Sequence, residues 1–242
     1  SATRTLSWAG DMTATNGYIS LSGSSVISGV MTASNSSGGL TISGSGTYNL
    51  SSTSNNISTI GASIGTSNLT FVNGSALKIG TVNSITGITA GAITLTAAGL
   101  TGSENITPSA SSSITINNSS GSYDYTGVIS GSSTVTKQGS GSQILSGANT
   151  YSGFTTISAG TIKLNNATAL GTTAAGTSIS SSGVLDLNGF NYSNAEALTI
   201  NGTGIASGGA LINSSTTAAT YSGLLTLGSD SSVVGGSGSI TL

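Results

Sequence analysis

Ten times along this chain two aliphatic residues flank a single polar one: Ile19-Ser-Leu21, Leu40-Thr-Ile42, Leu77-Lys-Ile79, Ile93-Thr-Leu95, Ile114-Thr-Ile116, Ile162-Lys-Leu164, Leu185-Asp-Leu187, Leu198-Thr-Ile200, Leu225-Thr-Leu227 and Ile240-Thr-Leu242. On a strand this spacing puts both aliphatics on one face and the polar group on the other. Ile, Val and Thr also suit a pleated surface. Helical spacing is sustained nowhere, and frequent glycine would penalise it. The chain is therefore predicted to be all β.

Spacing narrows the architecture. The steps Ile19 to Leu40, Ile93 to Ile114 and Ile114 to Val135 are equal; Ile162 to Leu185 is slightly longer, and Val135 to Ile162 and Leu198 to Leu225 are longer still. The recurrence thus falls at roughly 20–27 residues, the range of one solenoid coil. A sandwich needs no such recurrence, whereas one coil of a parallel β-solenoid, made of two or three short strands, produces it. The expectation is a single parallel β-helix over residues 1–242, with roughly 9 to 12 coils forming a rod of about 45–60 Å. Gly and Asn bound the strands, as at Asn117, Asn165, Asn188 and Asn201. These residue types tolerate the left-handed conformation a tight corner needs, and stacked Asn amides could pair with one another.

Composition removes most chemistry. Ser (50), Thr (37), Gly (37) and Asn (19) make up 143 of 242 residues, while charged residues are 4%, against about 25% in an ordinary globular domain. Such a chain could be disordered, but the regular aliphatic pairs and 36% hydrophobic content argue for a core. With no His and no Cys, the usual zinc, haem, iron–sulfur and Ser-His-Asp arrangements cannot be assembled, so no cofactor is expected. Four basic residues cannot neutralise a nucleic-acid backbone. The longest apolar run, Ala210-Leu211-Ile212, is far short of a membrane-spanning helix of about 20 residues. The opening Ser-Ala-Thr-Arg-Thr-Leu-Ser-Trp lacks an initiator Met and an apolar signal core, and reads as a mature or excised segment.

A direct internal repeat is also present. Thr150-Tyr-Ser-Gly-Phe-Thr-Thr-Ile157 aligns with Thr220-Tyr-Ser-Gly-Leu-Leu-Thr-Leu227, and Tyr125-Thr-Gly127 is a weaker copy. Tyrosine recurring at a turn is expected to plug the core.

Residues 124–164 bring a family into view. Asp124-Tyr-Thr-Gly-Val-Ile-Ser-Gly131, Val135-Thr-Lys-Gln-Gly139, Leu145-Ser-Gly-Ala-Asn-Thr-Tyr-Ser-Gly153, Thr155-Thr156 and Ala159-Gly-Thr161 through Leu164 resemble the autotransporter-associated β-strand repeat of bacterial surface proteins. Gln143-Ile144 stands where Thr-Leu is usual, and Phe154 where a second Gly is common. Residues 165–242 read as further coils and 1–123 as divergent ones; within the former, Gly183-Val-Leu-Asp-Leu-Asn-Gly189 and Leu198-Thr-Ile-Asn-Gly-Thr-Gly-Ile205 are similar to tracts found beside such repeats. The resemblance implies a right-handed parallel β-helix, an extracellular location at the bacterial cell surface, and an adhesive or stalk role. It brings no catalytic residues.

Candidate sites are correspondingly few. Gly147, Asn149, Gly153, Gly160, Asn188 and Asn201 are read as corners. Tyr151, Tyr221, Ile157, Ile162 and Leu164, together with Ile144, are read as core. The six acids are mostly several coils apart, so a convergent pair of the glycosidase kind is not expected. Lys137, Lys163 and Asp186 follow one another at intervals close to one coil, and are expected to stack on neighbouring coils as a surface ion cluster. Ice binding would need regular Thr-x-Thr rows, and Thr94-Leu-Thr96 and Thr134-Val-Thr136 look too isolated. Gly139-Ser-Gly141 precedes strand-like rather than helical sequence, so it is no phosphate cradle.

These readings lead to a structural, non-enzymatic solenoid serving as a stalk or adhesive passenger segment. A self-assembling head-to-tail filament subunit is the alternative, since Gly238-Ser-Ile-Thr-Leu242 reads as strand with no polar cap. A carbohydrate-active β-helix is a remote third. The partners expected are a second copy of the chain or a cell-surface or glycan target.

Overall fold

The computed structural model describes residues 6–35, 38–192 and 194–242. Arg4 and Thr5 of the opening segment lie outside them; Leu6–Trp8 is a strand. Every described coil contributes a strand to one long parallel ladder: Leu6–Trp8, Ser25–Ile27, Tyr48–Leu50, Leu69–Ile79, Ile93–Thr101, Ser112–Asn117, Ser133–Gln138, Thr155–Leu164, Gly176–Asp186, Ala197–Gly202 and Leu225–Ser231. These eleven rungs define a parallel β-solenoid, as the recurrence of the aliphatic pairs predicts. Coil length varies along the rod, from the short step between partners Trp8 and Ile27 to the long one between Leu198 and Leu225. The rod is about 50 Å long at strand spacing.

A second ladder forms another face. It begins with Tyr18–Ser22, Gly39–Ser43 and Thr59–Ser63. In the C-terminal half it continues through Ser122–Tyr125, Ser142–Leu145, the ends of Thr155–Leu164 and Gly176–Asp186, then Leu211–Ile212 and Val233–Val234. The inward side chains of the two ladders stack into a thin apolar interior. Leu40, Ile42, Leu77, Ile79, Ile114, Ile116, Leu185, Leu187, Leu198 and Ile200 are all fully buried there. The last rung has a neighbour on one side only, and Leu227 and Leu242 are each 61% exposed.

Among the described residues one antiparallel element interrupts the parallel pattern. Thr81–Val82 and Ile85–Thr86 form a hairpin whose two turn residues, Asn83 and Ser84, both have positive φ (47° and 66°). That is the twist a two-residue hairpin turn requires. The hairpin folds back over Gly39 and Gly61: an added Cβ would lie 2.8 Å from Val82 at Gly39 and 2.2 Å from the Ile85 carbonyl at Gly61.

Register corrects two sequence readings. The long step from Val135 to Ile162 is not a rung, because Val135 pairs with Thr155 while Ile162 sits on the second ladder beside Gln143. Ile144 points outward and is half-buried, whereas Gln143 and Leu145 are the inward pair. The strand Ser142–Leu145 is in phase with Tyr125, the partner of Leu145, and alternation then turns Ile144 out.

Candidate functional site

The polar side chains of this solenoid hold coil to coil. Asn149 is buried; its Oδ1 accepts from the Ile129 amide (2.8 Å) and its Nδ2 donates to the Ala169 carbonyl (2.6 Å). One amide thus bridges the coil before and the coil after, satisfying two backbone groups that a corner leaves without strand partners. Asn188 and Asn201 donate to the carbonyls of Leu164 and Ile179, both at 2.9 Å. Of these three only Asn188 takes the left-handed conformation (φ 51°). The amides reach backbone rather than one another, so the stacked-Asn reading gives way to coil-bridging.

The glycine positions are close approaches. A Cβ on Gly147 would sit 2.0 Å from the Gly127 carbonyl oxygen, and one on Gly153 2.4 Å from that of Ser133. Gly160 combines a close approach with a positive φ of 71°. Ile157 packs between Lys137 and Ile179, Ile162 between Gln143 and Leu185, and Leu164 beside Leu145.

The tyrosines lead to a buried polar cluster that sequence reading did not find. Tyr125, Tyr151, Tyr192 and Tyr221 are all fully buried, and each has a hydrogen-bond partner for its hydroxyl. Tyr151 pairs with Thr155 (2.7 Å) and Tyr192 donates to Glu196 Oε2 (2.6 Å), each four residues on. Thr177 donates to Glu196 Oε1 (2.7 Å), and Tyr221 reaches back to the Glu196 carbonyl (3.0 Å). Tyr192 and Tyr221 are strand partners with stacked rings, 5.4 Å apart and 13° from parallel. Burial raises the Glu196 pKa, with the two hydroxyl donors opposing it. Burial also raises all four tyrosines. The signal in sequence is a polar residue four places after a turn tyrosine.

Lys137 is the largest departure from expectation. It lies inside the rod, fully buried, in an inward column between Ile116 and Ile157. Val135-Thr136-Lys137 alternates like any aliphatic triplet, which turns the lysine in, and its methylene stem fills the stack. The ammonium donates to the carbonyls of Gln138 and Gly139 (both 2.7 Å) and Ala159 (3.3 Å). Burial lowers its pKa to about 8.

Lys163 and Asp186 do meet on adjacent rungs, at 3.5 Å. Asp186 also accepts from the Ser214 amide (2.9 Å), the Ser214 hydroxyl (2.6 Å) and the Asn188 amide (2.9 Å). Lys163 donates to the same Ser214 hydroxyl (2.9 Å). The result is a clasp over three coils in which the carboxylate is the hub. Lys163→Ala is expected to change stability by about 1 kcal/mol or less, as for other accessible pairs. Asp186→Ala should cost ~2–3 kcal/mol, because it leaves three donors without an acceptor; urea unfolding of both variants measures the difference.

Among the described residues no group of three acids is placed to hold a metal ion. A groove of about 350 Å³ is lined by Ser140, Ala159, Gly160, Ser181, Ser182, Gly204, Ile205 and Ala206, with no ionisable group in its wall.

These features define a charge-poor parallel β-solenoid whose buried polar groups serve coil-to-coil cohesion. Residues 135–164 match the family model of the passenger-associated-transport-repeat, inside the segment whose motifs resemble the autotransporter-associated repeat. Over 110 residues, or 46% of its length, it is 36% identical to the adhesin BmaC autotransporter of Brucella suis biovar 1 (strain 1330). It spans 3% of that much longer protein. No solved structure matches the chain significantly.

Proposed function

We propose that this chain is a section of the rigid, non-enzymatic shaft of a bacterial surface passenger, holding adhesive elements away from the cell. The observation that carries this reading is the passenger repeat at residues 135–164, whose strands lie in register with the coils on both sides. The hydrogen bonds of Asn149, Asn188, Asn201 and Asp186 to the backbone of adjoining coils support it. A shaft works by being stiff, and each coil is stiffened by its two neighbours. The similarity to a protein named as an adhesin supports a place in adhesion, and the extracellular surface is where such a shaft would act.

The test is the solution state together with adherence. The purified chain is expected to scatter X-rays as a monomeric rod of about 50 Å, and beads coated with it should bind cultured host cells no better than albumin-coated beads. Long fibres in electron micrographs would replace this reading with the filament subunit. Strong bead binding by the chain itself would move the adhesive element into this segment.

A further inference from the structure

We propose that the outer face of the long ladder is an ice-binding surface, a rigid lattice of threonine hydroxyls and methyls whose ligand is crystalline water. In sequence the Thr-x-Thr pairs at 94/96 and 134/136 look isolated, but register aligns them. One outward column runs unbroken over seven rungs, starting Thr96, Thr115, Thr136 and Thr156 and reaching Thr226. A second column two residues earlier on each strand holds Thr70, Thr94, Ser113 and Thr134. Three successive rungs therefore present the pairs Thr94/Thr96, Ser113/Thr115 and Thr134/Thr136. Their spacing is fixed by the backbone at about 4.8 Å from rung to rung and about 6.6 Å along each strand.

Four properties of this face select the ligand. It is preorganised, because each rung is hydrogen-bonded to the next and threonine is stiff at χ1, so little freedom is lost on binding. It is neutral, since these two columns contain only Ser and Thr over the three paired rungs. Its hydroxyls are free to bind: Thr134 turns back to the Ser112 carbonyl (3.3 Å), but among the described residues those of Thr94, Thr96, Thr115 and Thr136 make no hydrogen bond within the chain. It is also two-dimensionally periodic, so its complement must repeat in both directions. The oxygen layers of ice repeat on a similar scale, with methyls seated between waters and hydroxyls in the water network. A single soluble sugar has no such repeat. A crystalline polysaccharide would call for a row of aromatic platforms, whereas the outward columns of the paired rungs carry only Ser and Thr and the exposed Phe154 lies one rung beyond them.

The experiment is inhibition of ice recrystallisation by the purified chain, compared with Thr115→Lys, Thr136→Lys and a control, Ser63→Lys, on the second ladder. Wild type and the control are expected to hold ice grains small at micromolar concentration, while either threonine variant requires about tenfold more protein, one decade in affinity. Unchanged circular dichroism would show that the outward substitutions leave the fold intact; Thr115→Tyr supplies a second, uncharged disruption. Grain growth equal to buffer overturns the proposal. So does equal potency of Thr115→Lys and Ser63→Lys, or pelleting of the wild type by crystalline chitin without any effect on ice. A dimer that Thr115→Lys abolishes, with ice growth unaffected, would instead make the face an interface between two copies.

Discussion

Gly160→Ala is expected to destabilise the solenoid by about 3 kcal/mol or more, the sum of a strained backbone and a clash. At φ 71° an alanine pays the left-handed penalty, and its Cβ would lie 2.3 Å from the Gly139 carbonyl and 2.4 Å from that of Gly141. Those contacts are backbone of the preceding coil and cannot turn aside. The Lys137 ammonium, 2.6 Å from the same point, would be displaced from its carbonyl acceptors as well. Two companions separate the contributions. Gly121 has φ 78° with nothing within 4 Å of an added Cβ, so Gly121→Ala should show the conformational cost alone, ~1–2 kcal/mol. Gly147 has an ordinary φ but a carbonyl at 2.0 Å, so Gly147→Ala isolates the close approach. Urea titrations followed by circular dichroism should rank the losses with Gly160 largest and Gly121 smallest. A Gly160→Ala loss no greater than that of Gly121→Ala would show that the coils can separate to admit a methyl.

The architecture was legible because period-two alternation and recurrence at one coil length are backbone properties, and a solenoid repeats its backbone. What escaped the sequence were positions where a polar side chain takes an inward slot. Thr155 and Thr177 occupy the column that Val135 and Ile114 fill lower down, and hydrogen bonds to Tyr151 and Glu196 make their burial tolerable. Gln143 turns in because its amide pairs with Leu100 N and O, both at 3.0 Å, two coils away. Lys137 is inward because alternation outranks charge when three carbonyls can receive the ammonium. Partners of this kind are distant in sequence, and no single-residue hydropathy carries them. The threonine columns escaped for a related reason. Coils differ in length, as the steps Trp8 to Ile27 and Leu198 to Leu225 show, and this hides alignment until hydrogen-bond register restores it.

Stability is expected to fall as pH rises above the glutamate range and to climb again above about pH 8, because two buried groups with shifted pKa values, Glu196 and Lys137, pull in opposite directions. Burial raises the Glu196 pKa, so the folded chain holds that proton more tightly than the unfolded chain does. Its contribution is complete below the ordinary glutamate range and is lost as pH rises through the folded value. Lys137 is lowered to about 8 from 10.5, so between those values the unfolded chain binds more protons and stability climbs with pH. The climb is at most ~1.4 kcal/mol per pH unit. The tyrosines ionise later in the fold than in the unfolded chain, which reverses the trend above about pH 10. The informative windows are therefore the range just above the ordinary glutamate pKa for Glu196 and about pH 8–10 for Lys137. Urea midpoints across these windows should fall and then rise in the wild type. Glu196→Gln, which keeps hydrogen-bonding capacity beside Thr177 and Tyr192, should flatten the acid limb only. Lys137→Met, which keeps the stem and removes the charge, should flatten the alkaline limb only and raise stability at neutral pH, since a buried charge replaced by an apolar group of similar volume is commonly stabilising. A wild-type profile that shows no fall above the ordinary glutamate range would mean that Glu196 finds a cation or water in solution. A Lys137→Met chain weaker than the wild type at pH 7 would mean that the three carbonyls depend on the ammonium more than the interior resists its charge.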